Sequence, residues 1–446
     1  METLDLLRSG QLAGSKRLNI SCGLTQFPSE IFDIADSLEI LDLSNNHLRT
    51  LPDEFEQLKH LKIVFFTNND FEAIPDVLSQ CPDLKMVSFK SNQMKSVGEY
   101  ALPQKLRWLI LTDNKIEKLP TSLGSLSYLQ KLMLAGNQLQ SLPESIASCK
   151  KLELIRLSAN QLSELPPWLF TLPRLSWLAY AGNPLCNRDA TTKPVLPYID
   201  WTELTLGEIL GQGASGVIYQ GLWTTKLAQK EVAIKIFKGE ITSDGLPTDE
   251  MAASLAAGCH DNQVNVLGKL NNVPQEKLGL VFSFIPPHYK NLGQPPDFDT
   301  CTRDTYSASA SFSLPVILRI TKGIASAATH LHALGIMHGD LYAHNILVDE
   351  TGHSLLGDFG AASFYDKNDV VIGQSLERLE VRAFGCLLED MLDRCTLQES
   401  YEYYKALESL RRLQQECLKP VLSQRPGFTE IGERLTSIER QVYGTA

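Results

Sequence analysis

His338-Gly339-Asp340-Leu341-Tyr342-Ala343-His344-Asn345 reads H-x-D-L-x-x-x-N between apolar flanks. Leu331 to Met337 lead in with helical spacing, and Ile346-Leu347-Val348 lead out as a short strand. An acid and an amide five residues apart, on a loop between rigid elements, can orient a hydroxyl and hold a hard cation. Loop acids that merely cap backbone groups would look the same in isolation. The meaning of the octapeptide therefore rests on what lies either side of it.

At 446 residues the chain has room for two or three domains. With 43% hydrophobic and 21% charged residues it can bury a sizeable core. A formal net charge of −11 argues against a nucleic-acid partner held by general phosphate attraction. Nine cysteines, an odd number without a CxxC pair, point to reduced thiols in a cytoplasmic setting and not to a disulfide framework or zinc site. The chain opens without a basic-then-apolar run, and no window approaches 18 consecutive apolar residues. Neither a secretory signal nor a membrane span is expected.

Upstream of the octapeptide the chain is periodic. Asn46, Asn69, Asn92, Asn114, Asn137, Asn160 and Asn183 are 22 or 23 residues apart. Around them recurs L-x-x-L-x-L-x-x-N-x-L-x-x-L-P, as in Leu38, Leu41, Leu43, Asn46, Leu48, Leu51 and Pro52. This frame resembles the leucine-rich-repeat family. About eight copies of 22–24 residues fill 1–186, the first irregular and starting near Leu18. Each copy supplies a short strand and a return segment, and stacking buries the leucines. The asparagine amides would satisfy backbone groups that otherwise cost about 1–3 kcal/mol each when left unpaired. Between the leucines two columns face the concave side. One is Ile40, Ile63, Met86, Trp108, Lys131, Leu154 and Trp177; the other is Asp42, Phe65, Ser88, Ile110, Met133, Arg156 and Ala179. Apolar clusters on such faces mark interaction sites. Phe65, Trp108 and Ile110 are the candidate surface, for a protein partner or for the chain's own second half. A polar, proline-punctuated stretch, 187–200, reads as a linker.

Beyond it, Trp201 to Leu210 alternates toward a strand and meets Gly211-Gln212-Gly213-Ala214-Ser215-Gly216, followed by Val217 and a further strand. Glycines allow a backbone to close over phosphates, and the strand that follows speaks against a dinucleotide-type turn. Val232-Ala233-Ile234-Lys235 then places a lysine in a buried type of strand. With these motifs in order, 201–446 resembles a eukaryotic-type protein kinase domain, its opening similar to the tyrosine-kinase-like group. Asp358-Phe359-Gly360, Val381-Arg382-Ala383-Phe384-Gly385 and Arg425-Pro426 continue the likeness. The expected fold is therefore multidomain: an α/β leucine-rich-repeat solenoid followed by a bilobal α+β kinase-like fold.

The resemblance implies ATP and Mg2+. Lys235 would hold phosphates and be oriented by Glu250, with Glu240 and Asp249 as nearby alternatives. Asp340 would take or orient the proton of the attacking hydroxyl, and Asn345 and Asp358 would ligate the metal. Gly211, Gly213 and Gly216 would cover the phosphates. Leu210, Val217, Ala233 and Leu347 would sandwich the adenine, and Phe282 would stand as gatekeeper. The implied function is a protein kinase acting on Ser/Thr and on itself. A catalytically weak scaffold acting through its repeats and a small-molecule phosphotransferase are the alternatives.

Several positions depart from the kinase pattern. Gly339 replaces the usual arginine, and Tyr342 and His344 leave both substrate-class markers absent. Only 23 residues separate Asp358 from Val381, with no Ala-Pro-Glu, so Arg425 lacks its usual glutamate and Glu377 is a possible substitute. Pro286 to Leu314 reads as a solvated loop whose Ser307, Ser309 and Ser311 are candidate autophosphorylation sites.

Overall fold

A computed structural model describes residues 2–186, 196–239, 241–396 and 400–443. The expected linker thus lies mostly outside the described residues. The chain forms two compact units, 1–172 with 183–185, and 173–182 with 186–446.

In the first unit seven three-residue strands run parallel, from Arg17–Asn19 to Leu154–Arg156. Arg17 pairs with Ile40, then Ile63, Met86, Trp108, Lys131 and Leu154 follow in register. The central residues Leu18, Leu41, Val64, Val87, Leu109, Leu132 and Ile155 are all buried. Their neighbours alternate to the other face, as the period of two demands. Six return segments are short 3-10 helices, each entered through a proline: Pro28, Pro52, Pro75, Pro120, Pro143 and Pro166. The ring locks φ near the value each entry needs.

The asparagines tie successive copies together. Asn137 accepts from Ile116 N at 3.0 Å and donates to Leu111 O at 2.9 Å and Leu134 O at 3.0 Å. Asn160 makes the same bonds one copy on, to Leu139 N, Leu134 O and Leu157 O. Phe66, Phe71 and Phe89 pack at 5.1–5.2 Å between ring centres and fill the interior of the third and fourth copies. Phe65 and Ile110 share one column and Trp108 stands in its neighbour; all three are half-buried. Lys131 Nζ lies 4.1 Å from the Trp108 ring centre.

The second unit opens with a sheet of six strands, ordered 204–212, 216–224, 229–237, 279–283, 266–271, 198–200. The edge strand Tyr198–Asp200 falls inside the expected linker, and the domain therefore starts earlier than residue 201. Ile199 is fully buried there, and Asp200 accepts from Thr202 N at 2.9 Å. The helix Pro247–Ala256 covers one face of the sheet, with proline in its first turn.

Four further helices, Leu314–Ala333, Val370–Leu392, Tyr401–Cys417 and Phe428–Tyr443, form the second lobe. Ile317, Ile320, Ile324, Ala327, Ala328 and Leu331 give the first of these an apolar stripe at helical spacing. The octapeptide lies between strand Ile336–Met337 and strand Ile346–Val348. All nine cysteines are free. Among the described residues, no helix is long and apolar enough to cross a membrane.

Candidate functional site

The lysine strand and the helix above it bring the first pair together. Lys235 is hydrogen-bonded through Nζ to Glu250 Oε1, and both are buried. Burial pushes the Glu250 carboxyl up, Lys235 opposes the rise, and the charge of Asp358 adds to it. Of the alternatives, Glu240 lies outside the described residues. Asp249 is one helical step away, and one of its carboxylate oxygens is buried without a hydrogen-bond partner.

On the octapeptide, Asn345 Nδ2 donates to Asp340 Oδ2 at 2.7 Å and to Asp340 O at 3.0 Å. The amide nitrogen is thereby taken up by Asp340, and the amide oxygen is the atom that could meet a hard cation. Asp358 is exposed, with φ +54°, and its Oδ1 accepts from Gly360 N at 3.1 Å. His338 donates through Nε2 to Gly357 O at 2.9 Å and packs on Phe359.

Two cavities adjoin through Lys235, Glu250 and Asp358, which line both. The smaller, about 160 Å³, is also lined by Gly213, Ala214, Ser215, Gly216 and Gly360. The larger, about 550 Å³, is walled by Leu210, Ile218, Ala233, Phe282, Leu347 and Asn345. Glycine backbone beside a lysine can cradle phosphates, and an apolar slot beside it suits a flat ring. Val217 and Gly211 line neither cavity. Successive side chains on a strand point to opposite faces, so Ile218, one position on from Val217, forms the wall.

Residues that sequence reasoning missed hold the octapeptide in place. Glu380, fully buried, accepts from Gly339 N at 2.6 Å and His338 N at 3.2 Å, and its Oε2 lies 2.9 Å from His332 Nε2. Burial acts to raise this carboxyl, but the His332 hydrogen bond and charge, with His338 and Gly339 N–H, hold it below the usual range. From the other side Asp304 Oδ2 accepts from Ala343 N at 2.5 Å, and Oδ1 lies 2.6 Å from His344 Nδ1. Burial would lower the His344 pKa, but Asp304, Asp340 and Asp358 raise it.

Asp304 corrects the reading of 286–314 as solvated loop. Cys301, Thr302 and Asp304 are buried, Lys290–Asn291 pairs with the strand after the octapeptide, and Arg303 bridges Glu389 and Asp390 at 2.7 and 2.5 Å. The rest is solvated in part: Pro286 to His288, Gln294, Pro295 and Asp297 to Asp299 are exposed, as are Ser307, Ser309 and Ser311.

Glu377 does not serve Arg425; its Oε1 accepts from Phe428 N at 2.7 Å. Arg425 instead donates to three carbonyls, Lys419 O, Arg378 O and Pro173 O. With no carboxylate partner, burial, aided by Arg382, lowers its pKa to about 10. Gly339 has φ +74°, and a Cβ there would stand 2.5 Å from Leu178 O and 2.7 Å from Ala361 O, closer than real contacts allow. This excludes the arginine usual at that position. After Asp358 only 11 residues precede the helix that starts at Val370. Its hydroxyl residues, Ser363 and Tyr365, are both buried. Ser363 Oγ accepts from Tyr180 N at 2.9 Å, and Tyr365 OH is 2.8 Å from His332 Nδ1.

Comparison with known proteins matches residues 204–384 to the family described as protein tyrosine and serine/threonine kinase. Residues 36–94, 104–162 and 127–185 match the leucine rich repeat family. The chain is similar to cyclin-dependent kinase 11.1 of Caenorhabditis elegans, 26% identical over 52% of this chain and 33% of that protein. It is similar to serine/threonine-protein kinase STY46 of Arabidopsis thaliana, 24% identical over 55% and 46%. A third relative is mitogen-activated protein kinase kinase kinase 3 of the same plant, 30% identical over 39% and 25%. In each case the match spans less than half the length of the relative.

Proposed function

We propose that this chain, which joins a leucine-rich-repeat array to a protein kinase domain, transfers the γ-phosphoryl group of ATP to serine or threonine hydroxyls, its own included. The observation that supports the reading is that Lys235, Glu250, Asp358 and Asn345 line one pair of adjoining cavities, with Asp340 bonded to Asn345 behind that lining.

Phosphoryl transfer asks for positioning and charge neutralisation more than for covalent chemistry. Leu210, Ile218, Ala233 and Leu347 hold the adenine. The Gly213 to Gly216 backbone covers the phosphates, and Lys235, oriented by Glu250, pairs with them. Asn345 and Asp358 offer oxygen ligands to Mg2+, which would neutralise charge on the phosphate oxygens. Asp340, aligned by the Asn345 amide, takes the acceptor hydroxyl proton. As the acceptor oxygen bonds to the γ-phosphorus, the bond to the β–γ bridging oxygen breaks and ADP leaves. The repeat unit supplies a surface for a protein partner, centred on Phe65, Trp108 and Ile110.

Incubation of the full chain with Mg-ATP, read by mass spectrometry, tests this. Phosphate is expected on the chain itself and on a generic Ser/Thr substrate. Asp340→Asn is expected to abolish transfer while retaining an Mg-ATP thermal shift, worth about 2.7 kcal/mol at 100 times the dissociation constant. Lys235→Met is expected to weaken both. No phosphate on any protein refutes the reading, and no thermal shift favours a scaffold. The short 358–369 segment favours one second reading, a small-molecule acceptor; ATP turnover stimulated by metabolites but not by proteins would select it.

A further inference from the structure

Residues 173–182 carry the repeat pattern, yet their contacts group them with the second unit. Trp177, 2% exposed, lies flat on Tyr342, the ring centres 4.3 Å apart and the planes at 6°. Its Nε1 donates to Leu341 O at 3.2 Å. The main chain around it is bonded at three further points. Arg425 donates to Pro173 O at 3.2 Å, Arg382 Nε to Arg174 O at 3.1 Å, and Tyr180 N to Ser363 Oγ at 2.9 Å. Gly339 is bare where Leu178 O passes.

We infer that Trp177 is a positioning residue for phosphoryl transfer, and that segment 173–182 is a built-in clamp on the Asp340–Asn345 loop. The inference rests on reading that loop as catalytic. Glu380 holds the loop's entry at Gly339, and Asp304 holds its exit at Ala343 and His344. Leu341 and Tyr342 lie between these anchors and directly after Asp340. The indole fixes them twice, through its face and through its N–H. An aromatic stack sets the plane of a ring, and a hydrogen bond to the adjacent carbonyl sets the rotation of the peptide. Together they fix the direction in which Asp340 projects. The clamp also gives Arg425 one of the three backbone acceptors that stand in for its missing glutamate, Pro173 O. Trp177 touches no reacting atom; it acts through the loop.

The test uses the full chain as wild type, Trp177→Phe and Trp177→Ala, with hydrogen exchange and steady-state phosphotransfer. In Trp177→Ala, exchange in 338–347 should rise at least about tenfold, while strand 279–283 stays unchanged. A displacement of about 1 Å at a reacting group costs on the order of a hundredfold, so kcat should fall about 10- to 100-fold with the ATP KM within about twofold. Trp177→Phe keeps the ring and loses the donor, and should fall between the two. If Trp177→Ala loses protection along the whole chain, Trp177→Phe decides. Faster exchange confined to 338–347 supports the clamp, and wild-type exchange there overturns it. Wild-type exchange, or an unchanged kcat, in a folded Trp177→Ala chain also overturns it. Absence of transfer by the wild-type chain would remove the proposed function and leave the exchange measurement to decide the clamp.

Discussion

Replacing Glu380 with alanine tests the anchoring of the Asp340–Asn345 loop most directly. The carboxylate is fully buried and serves three donors, Gly339 N, His338 N and the His332 ring. Each buried donor left unpaired costs roughly 1–3 kcal/mol. Water entering the vacated space would recover part of this, which brings the sum to about 3–6 kcal/mol. For a unit of this size one kcal/mol corresponds to about 2–4 °C in melting temperature. The transition of the second unit should fall by roughly 6–24 °C, while that of the repeat unit stays fixed. Differential scanning calorimetry on the full chain resolves the two if they melt separately. Glu350→Ala, at an exposed position, is the control and should shift stability by no more than about 0.5 kcal/mol. The acid limb has a definite sign. The folded-state pKa of Glu380 is depressed, so its stabilisation is present above the unfolded carboxyl pKa and is lost as pH falls through the folded value. The gap between wild type and Glu380→Ala should therefore close in acid. A drop of less than about 2 °C at neutral pH would refute the reasoning.

Three further outcomes are expected. Asn137→Ala removes one acceptor and two donor bonds inside the repeat stack and should destabilise the first unit by about 3–5 kcal/mol, read by urea unfolding. Gly339→Ala forces a Cβ against two carbonyls at positive φ; the second unit should melt earlier and kcat should drop, as measured by calorimetry and phosphotransfer. The raised pKa of His344 means that its pairing with Asp304 stabilises fully below about pH 6.5 and is lost as pH rises through the folded value; His344→Gln should flatten that part of the stability–pH curve.

Much of this molecule is legible where chemistry is local or periodic. The asparagine spacing placed the strands and both concave columns, because a stacked repeat leaves one register for its leucines. Lys235, Asp340, Asn345 and Asp358 were legible as members of ordered motifs; Lys235, Asn345 and Asp358 line the two cavities, and Asp340 reaches them only through its bonds to Asn345. Val217 was misplaced by one position, which on a strand exchanges the two faces. Choosing Glu250 over Asp249 turns on helical phase, since the neighbouring position points elsewhere. Asp304 and Glu380 were invisible because nothing local separates a buried acid from a solvated one; their partners lie 39 to 48 residues away. Arg425 was given a carboxylate because acids are the usual partners of arginine, yet three backbone carbonyls hold it. The boundary at 186 followed the repeat pattern, whereas 173–182 group by contact with what comes after.

The two hydroxyls after Asp358 have a consequence for control. Ser363 and Tyr365 are sealed inside the fold and bonded to Tyr180 and His332. An upstream enzyme could modify either only by opening the core around it. On this segment there is no accessible switch for a signalling cascade to set. Control by added phosphate would have to act elsewhere on the chain, as at the exposed Ser307, Ser309 and Ser311.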